Sequence, residues 1–327
     1  MHLTLTQKKL LKLLSINCRF TNKDIAKALR VSVDTVKYQI QNLIQTNQLG
    51  FFNTQFVHVN IGYDSYHHWV RLPATISVEM LLEIPHVNSI NSSYGIYNFQ
   101  ILSYAKNKKQ LRETMQKIRD LNPLRYTHAK LVAIYKSHSN VIPPINVSVT
   151  VPTNKKKFEY KLSDITYAKP DFALRLDLTR TDRQIITVLL REPRASFMQI
   201  SSETGINHET VRYRIRRFVE SGFINNFGLI HDYKRYGLYN TYIVFKKCNL
   251  DENAFQRLIS TIDTIYYSPK LDGDYDGIIY LLTQDPYELG KSYDLLLKLF
   301  LDGGVEFDIL FWNDVHKYVQ FPEIELR

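Results

Sequence analysis

At 327 residues the chain is long enough to bury a sizeable core and to form about two or more domains. With 44% hydrophobic and 23% charged residues it is excluded from the disordered class, and no apolar run approaches the roughly 18 residues of a membrane span. The net charge of +10 favours a polyanionic partner, foremost nucleic acid.

The opening segment predicts a helix around Gln7 to Ser15, a second around Asn22 to Leu29, and a third from about Val33 to Gln45 capped by Ser32. Cys18 lies in an apolar pattern, as does the distant Cys248. With no CxxC motif, both are expected to be reduced core thiols of an intracellular, cytoplasmic protein. Strands follow near Tyr66 to Leu72, Val87 to Tyr94, Tyr97 to Ala105 and Ala129 to Lys136, with helices near Ser77 to Ile84 and Lys108 to Asp120. Pro143, Pro144, Pro152 and Pro170 mark a connector in which Ile145, Val147, Val149 and Val151, then Phe158, Tyr160 and Leu162, alternate like an extra hairpin.

After the connector the pattern repeats. With a constant offset of 175, Leu3 to Val70 runs against Leu178 to Phe245 without a gap: Arg19 meets Arg194, Tyr38 meets Tyr213, Phe52 meets Phe227 and Gly62 meets Gly237. In the second copy Ser196 and Gln199 have capping-box spacing, Gly205 suits the left-handed turn, Asn207 caps the third helix, and Gly222 ends it before a short wing strand. Strands are expected near Tyr239 to Lys246, Thr264 to Leu271, Tyr275 to Thr283 and Val305 to Trp312, and helices near Glu252 to Thr261 and Tyr287 to Leu301.

The expected fold class is α+β: two winged helix-turn-helix domains and two ferredoxin-like βαββαβ domains arranged as a tandem duplication. The domain limits are 1–56, 57–138, 139–176 for the connector, 177–231 and 232–327.

The third helix of the second copy buries Val211, Ile215, Phe218 and Val219, leaving Arg212, Arg214, Arg216 and Arg217 to be presented. Guanidinium groups suit phosphates and guanine edges, so His208, Glu209, Thr210, Arg212, Tyr213, Arg214, Arg216 and Arg217 are candidate DNA contacts. The first copy offers Lys37, Tyr38, Gln41 and Asn42; whether it reads bases or only packs is open. His67 and His68, being adjacent, would face opposite sides of a strand, and no His, Cys or acidic spacing suits a metal. No nucleophile elbow, Walker loop or HExxH is present, and no cofactor is expected.

The segments LTRTDRQIITVLL, NHETVRYRIRRFVESGFI, YGLYNTYIVF and DGDYDGIIYL resemble the motifs of the Lrp/AsnC (feast/famine) transcription regulators, and the two halves together cover nearly the whole chain. The resemblance implies DNA-binding domains joined to domains of the family's RAM type, which mediate dimerisation and in many members bind amino acids. It therefore implies a homo-dimer or an intrachain pseudo-dimer; from the lack of a long apolar run, no membrane partner is expected. It also implies an effector site at the glycine turn, here Asp272, Gly273, Asp274, Tyr275 and Asp276, where the first half has Gly95 without the acids. Where the family keeps an Arg in the reading helix, the second copy has Arg214 and the first Gln39. Siroheme decarboxylases also resemble fused Lrp-type halves. His and Arg would be expected on their tetrapyrrole-facing strands, and Val87 to Ala105 and Thr264 to Thr283 contain neither. A third reading is an interaction scaffold that does not bind DNA.

Overall fold

The computed structural model describes residues 3–136, 147–151, 174–247, 250–319 and 321–322. In chain order the first half gives α1 (Leu5–Ile16), α2 (Asn22–Leu29), α3 (Val33–Gln45), β1 (Phe51–Phe56), β2 (Asp64–Arg71), α4 (Val78–Leu82), β3 (Val87–Tyr94), β4 (Phe99–Ala105), α5 (Lys108–Asp120) and β5 (Arg125–Lys136). The second gives α6 (Arg180–Arg191), α7 (Phe197–Thr204), α8 (His208–Glu220), β6 (Ile224–Ile230), β7 (Tyr239–Lys246), α9 (Glu252–Thr261), β8 (Ile265–Gly273), β9 (Gly277–Thr283), α10 (Pro286–Asp302) and β10 (Glu306–Tyr318). The duplication is thus carried element by element. Of the expected connector hairpin, residues 147–151 are described and carry no strand; the remainder lies outside the described residues, as does Cys248.

Two compact units emerge, one from within 1–61 and 139–237, the other from within 62–138 and 238–325. Each takes one part from each half. The first unit therefore holds both helix-turn-helix segments and the second both βαββαβ segments.

Local chemistry sets the helices of the first unit. Ser196 accepts from the Gln199 amide while the Gln199 side chain accepts from the Ser196 amide, closing the expected capping box. Gly205 adopts φ 69 at the end of α7, and Asn207 caps α8 through the Glu209 amide at 2.9 Å. Further capping boxes, not anticipated, start α1 at Thr4, α2 at Thr21 and α6 at Thr179. Each three-helix cluster then buries its apolar stripe, Leu10, Leu14, Ile25, Val36, Ile40 and Leu43 in one copy and Ile185, Leu189, Ile200, Val211, Ile215 and Phe218 in the other.

The wings do not form hairpins of their own. Instead β1 pairs antiparallel with β6, Phe51 opposite Ile230 and Thr54 opposite Phe227, joining the two copies. Two arginines lock the joint reciprocally. Arg19 donates to the Pro193 and Ala195 carbonyls at 2.7 and 2.8 Å and lies over the Phe227 ring, while Arg194 donates to Asn22 at 3.1 Å and lies over Phe52. Arg19 and Arg194, like Phe52 and Phe227, are equivalent in the repeat, so one contact is made twice. Behind the joint, His231 bonds Ser15 at 2.7 Å and Tyr236 at 3.1 Å.

In the second unit eight strands close into a barrel of order β10-β3-β4-β2-β5-β8-β9-β7. Each half contributes four strands in the ferredoxin-like order, and the antiparallel seams β5–β8 and β10–β3 join the halves. Strand alternation sends Val70, Ile90 and Ile101 to the face covered by α4 and α5, where Leu81, Ile84 and Ile118 complete a core. Burying a side chain such as Ile118 fully contributes about 2–3 kcal/mol. The second half packs Ile243, Phe245, Ile279 and Leu281 against Phe255, Ile259, Leu296 and Phe300 of α9 and α10 in the same manner.

Candidate nucleic-acid interface

α8 is the helix that follows the turn, and its exposed residues are Glu209, Arg212, Tyr213, Arg216, Arg217 and Glu220. Tyr213 is 61% exposed and its counterpart Tyr38 on α3 is 62% exposed, so the same ring stands on the open face of both helices. His208, half-buried, packs on Phe197, and its Nδ1 lies 3.3 Å from Glu209, which also approaches Arg212 at 3.7 Å. Thr210 is half-buried on the first turn.

Arg214 departs from the expectation that all four arginines of the helix face outward. Its Nη1 lies 3.4 Å from Asp182, which is 1% exposed, so the guanidinium ties α8 to the first turn of α6 and three guanidinium groups remain on the open face. The motif pattern could not reveal this, because Asp182 lies 32 residues from Arg214; in the structure it also closes the Thr179 capping box. In the first copy the equivalent residues are Gln39 and Gln7; Gln7 reaches Asn42 at 3.4 Å. Asn42, a candidate reader, is therefore half-buried and engaged, whereas Lys37, Tyr38 and Gln41 are exposed. Lys37 lies 3.3 Å from Asp34.

The chemistry of this unit is otherwise quiet. Burial pushes the Cys18 thiol up to about 12 despite Arg194 and Arg19 nearby, so it stays protonated and unreactive. Burial also lowers His231 to about 3, leaving a neutral ring between Ser15 and Tyr236.

The proposed effector turn is largely committed to protein contacts. Asp274 accepts from the His128 amide at 2.8 Å, and Asp276 accepts from the Lys247 amide at 2.8 Å. Tyr275 is buried, donates to Asp308 at 3.0 Å and meets the Tyr97 hydroxyl at 3.1 Å. Gly273, at φ 149, permits a close approach to the backbone of β5: a Cβ there would sit 2.6 Å from the His128 carbonyl oxygen. Gly95 does the same at the other seam, where a Cβ would lie 3.1 Å from the Ile309 oxygen. Asn98 repeats the role of Asp276, accepting from the Leu72 amide at 2.8 Å. Asp272 alone of the turn's carboxylates is exposed and unbonded among the described residues.

Comparison with known proteins accords with this geometry. Residues 3–48 and 178–225 each match the winged helix-turn-helix DNA-binding family. A transcriptional regulator of Pyrococcus furiosus is 29% identical over 118 residues, 35% of this chain and 79% of the relative. The regulator Ptr1 of Methanocaldococcus jannaschii is 31% identical over 116 residues, 35% of this chain and 78% of the relative. Over almost the full length, 97% of this chain and 94% of the other, the fold is similar to the crystal structure of the siroheme decarboxylase NirDL, with a TM-score of 0.60 at 12% identity. A duplicated winged helix-turn-helix, ferredoxin-like halves and relatives named as regulators converge: the chain belongs to the Lrp/AsnC family of helix-turn-helix transcriptional regulators, as two Lrp-like halves fused in one chain.

Proposed function

We propose that the protein is a sequence-specific DNA-binding regulator whose principal reader is α8. The observation that carries this is the exposed row Arg212, Tyr213, Arg216 and Arg217 on a helix held in helix-turn-helix register by caps at both its turns. Three planar guanidinium groups offer bidentate pairing to guanine edges or phosphates, and the reciprocal Arg19 and Arg194 contacts fix one reading helix relative to the other. Metabolite response belongs to the same reading; the turn offers Asp272 to the ammonium group of an amino acid. The test is binding to mixed genomic duplex fragments over a salt series. Wild type should bind with an affinity that falls steeply with salt, and Arg212→Ala/Arg216→Ala should lose at least tenfold. Absence of binding at low salt sinks the reading.

The likeness to NirDL over the whole chain raises a second reading, tetrapyrrole decarboxylation. His67 lies on β2, outside the strands Val87 to Ala105 and Thr264 to Thr283, on the barrel face opposite the helices. The same interior is spanned by direct contacts between the halves: Gln100 donates to Tyr280 at 2.9 Å, Tyr242 donates to Ser93 at 3.3 Å, and Tyr97 meets Tyr275. A planar macrocycle would have to break these, which supports the regulator. Titration with an iron porphyrinoid separates the two, since a shifted Soret band at stoichiometric concentration would favour the enzyme.

A further inference from the structure

The two helix-turn-helix copies carry equal basic charge in different currencies. Over residues 3–48 there are eight Lys and Arg, six of them Lys, against two carboxylates; over residues 178–225 there are eight Arg, no Lys, and five carboxylates. The placement differs as well. Lys23, Lys27 and Arg30 stand at i, i+4 and i+7 along α2 and its cap, all exposed and, among the described residues, without an ion pair. Their equivalents beside α7 are Met198, Ser202 and Gly205, so this basic face belongs to the first copy alone.

Arg30 is the most telling of the three. It ends α2 at φ 56, the left-handed region where the second copy places Gly205 at φ 69. Side chains other than Gly are disfavoured there, and an exposed Arg gains no packing to offset the strain. An ammonium is a compact point charge suited to a phosphate oxygen, whereas the planar guanidinium suits bidentate base edges. The first helix of a helix-turn-helix crosses the DNA backbone while the second enters the groove. Within the two helices of the motif, the first copy thus carries Lys23, Lys27 and Arg30 on the backbone-crossing helix and its cap against Lys37 alone on α3, whereas the second carries four Arg on α8 and none on α7.

We infer that the halves divide the work: the first helix-turn-helix is a phosphate clamp, acting through Lys23, Lys27 and Arg30, and the second reads bases. This rests on the DNA-binding reading above. The clamp sets affinity and salt dependence without regard to sequence; α8 sets the preference.

The test exchanges the clamp for the residues that the second copy carries, Lys23→Met/Lys27→Ser/Arg30→Gly, side chains that the same helical frame already accommodates. Wild type, this variant and Arg212→Ala/Arg216→Ala are each used to select from a random-sequence duplex library, and their affinities for the selected and unselected duplexes are measured against salt. The triple variant should bind every duplex more weakly, by about 10²-fold at about 0.1 M salt, with the slope of log K against log salt smaller by about 2–3 and the selected sequences unchanged. The α8 variant should flatten the selected sequences. Thermal unfolding confirms that each variant is folded. An unchanged salt slope in the triple variant, or a changed sequence preference, overturns the division of labour while leaving DNA binding standing. Failure of wild type to bind any duplex at about 0.05 M salt overturns both.

Discussion

The joint between first and third helices is built two ways in one molecule. In the second copy Asp182 is fully enclosed, closes the Thr179 capping box and faces Arg214 across 3.4 Å. In the first, Gln7 caps Thr4 and Asn42 takes its amide, leaving the Gln39 carbonyl oxygen buried without a partner among the described residues. A charged pair and a neutral amide set thus hold the same backbone, which teaches that the conserved quantity is the position of the reading helix. The central Arg of α8 belongs to that joint.

The largest effect should come from breaking the charged joint. Asp182→Ala is expected to lower stability by about 3–5 kcal/mol, since it strands a half-buried guanidinium and removes a cap. Gln7→Ala at the neutral joint should cost about 1 kcal/mol. Urea midpoints at constant pH measure both, and equal losses would mean that the pair contributes nothing beyond the cap. The triple replacement Asp182→Gln/Arg214→Gln/Arg217→Asn, which recreates the first-copy joint of Gln7, Gln39 and Asn42, should recover most of the loss.

The two seams of the barrel give the next contrast. Gly273→Ala drives a methyl group to 2.6 Å from a backbone oxygen at φ 149 and is expected to cost about 2–3 kcal/mol. Gly95→Ala meets its nearest oxygen at 3.1 Å and should cost about half as much. A seam β10–β3 as sensitive as β5–β8 would contradict the difference in clearance.

Acid should distinguish the units through their buried imidazoles. Burial holds His231 at about 3 in the first unit; in the second, burial holds His67 at about 4, and burial reinforced by His128 and His67 holds His68 at about 3. These values lie below the unfolded value of about 6.5, so the unfolded chain binds more protons and stability falls as pH drops from about 6.5 toward the folded values. Each histidine should contribute a loss of about 2 kcal/mol at pH 5, twice over in the second unit. Hydrogen exchange resolved by unit at pH 7 and pH 5 checks this. An equal loss in both units, or none, would contradict it.

The smallest effect concerns the left-handed caps. Arg30→Gly should stabilise the first unit by up to about 1 kcal/mol, and Gly205→Ala should destabilise it by a similar amount, read as shifts in unfolding midpoint.

Helix positions, caps and the duplication were legible because they rest on neighbours three or four residues apart and on a constant offset of 175. The exposure of Arg212, Tyr213, Arg216 and Arg217 followed from the same helical period. The inward turn of Arg214 did not, since its partner lies 32 residues away. The turn from Asp272 to Asp276 is expected as an effector loop through the family resemblance, and its seam contacts were not legible because Asp and Gly serve turns and strand seams alike.

Sequence alone therefore determined the family, the repeated halves and the helical frame of the DNA-binding segments. Tertiary structure alone decided that the wings β1 and β6 pair with each other, that eight strands close one barrel, and that Asp274, Tyr275 and Asp276 are held by His128, Asp308 and Lys247. The physical reason is range. Caps and amphipathic stripes are energies of adjacent residues, whereas a seam is decided by which distant backbone carbonyl a glycine must pass and which distant amide a carboxylate can reach.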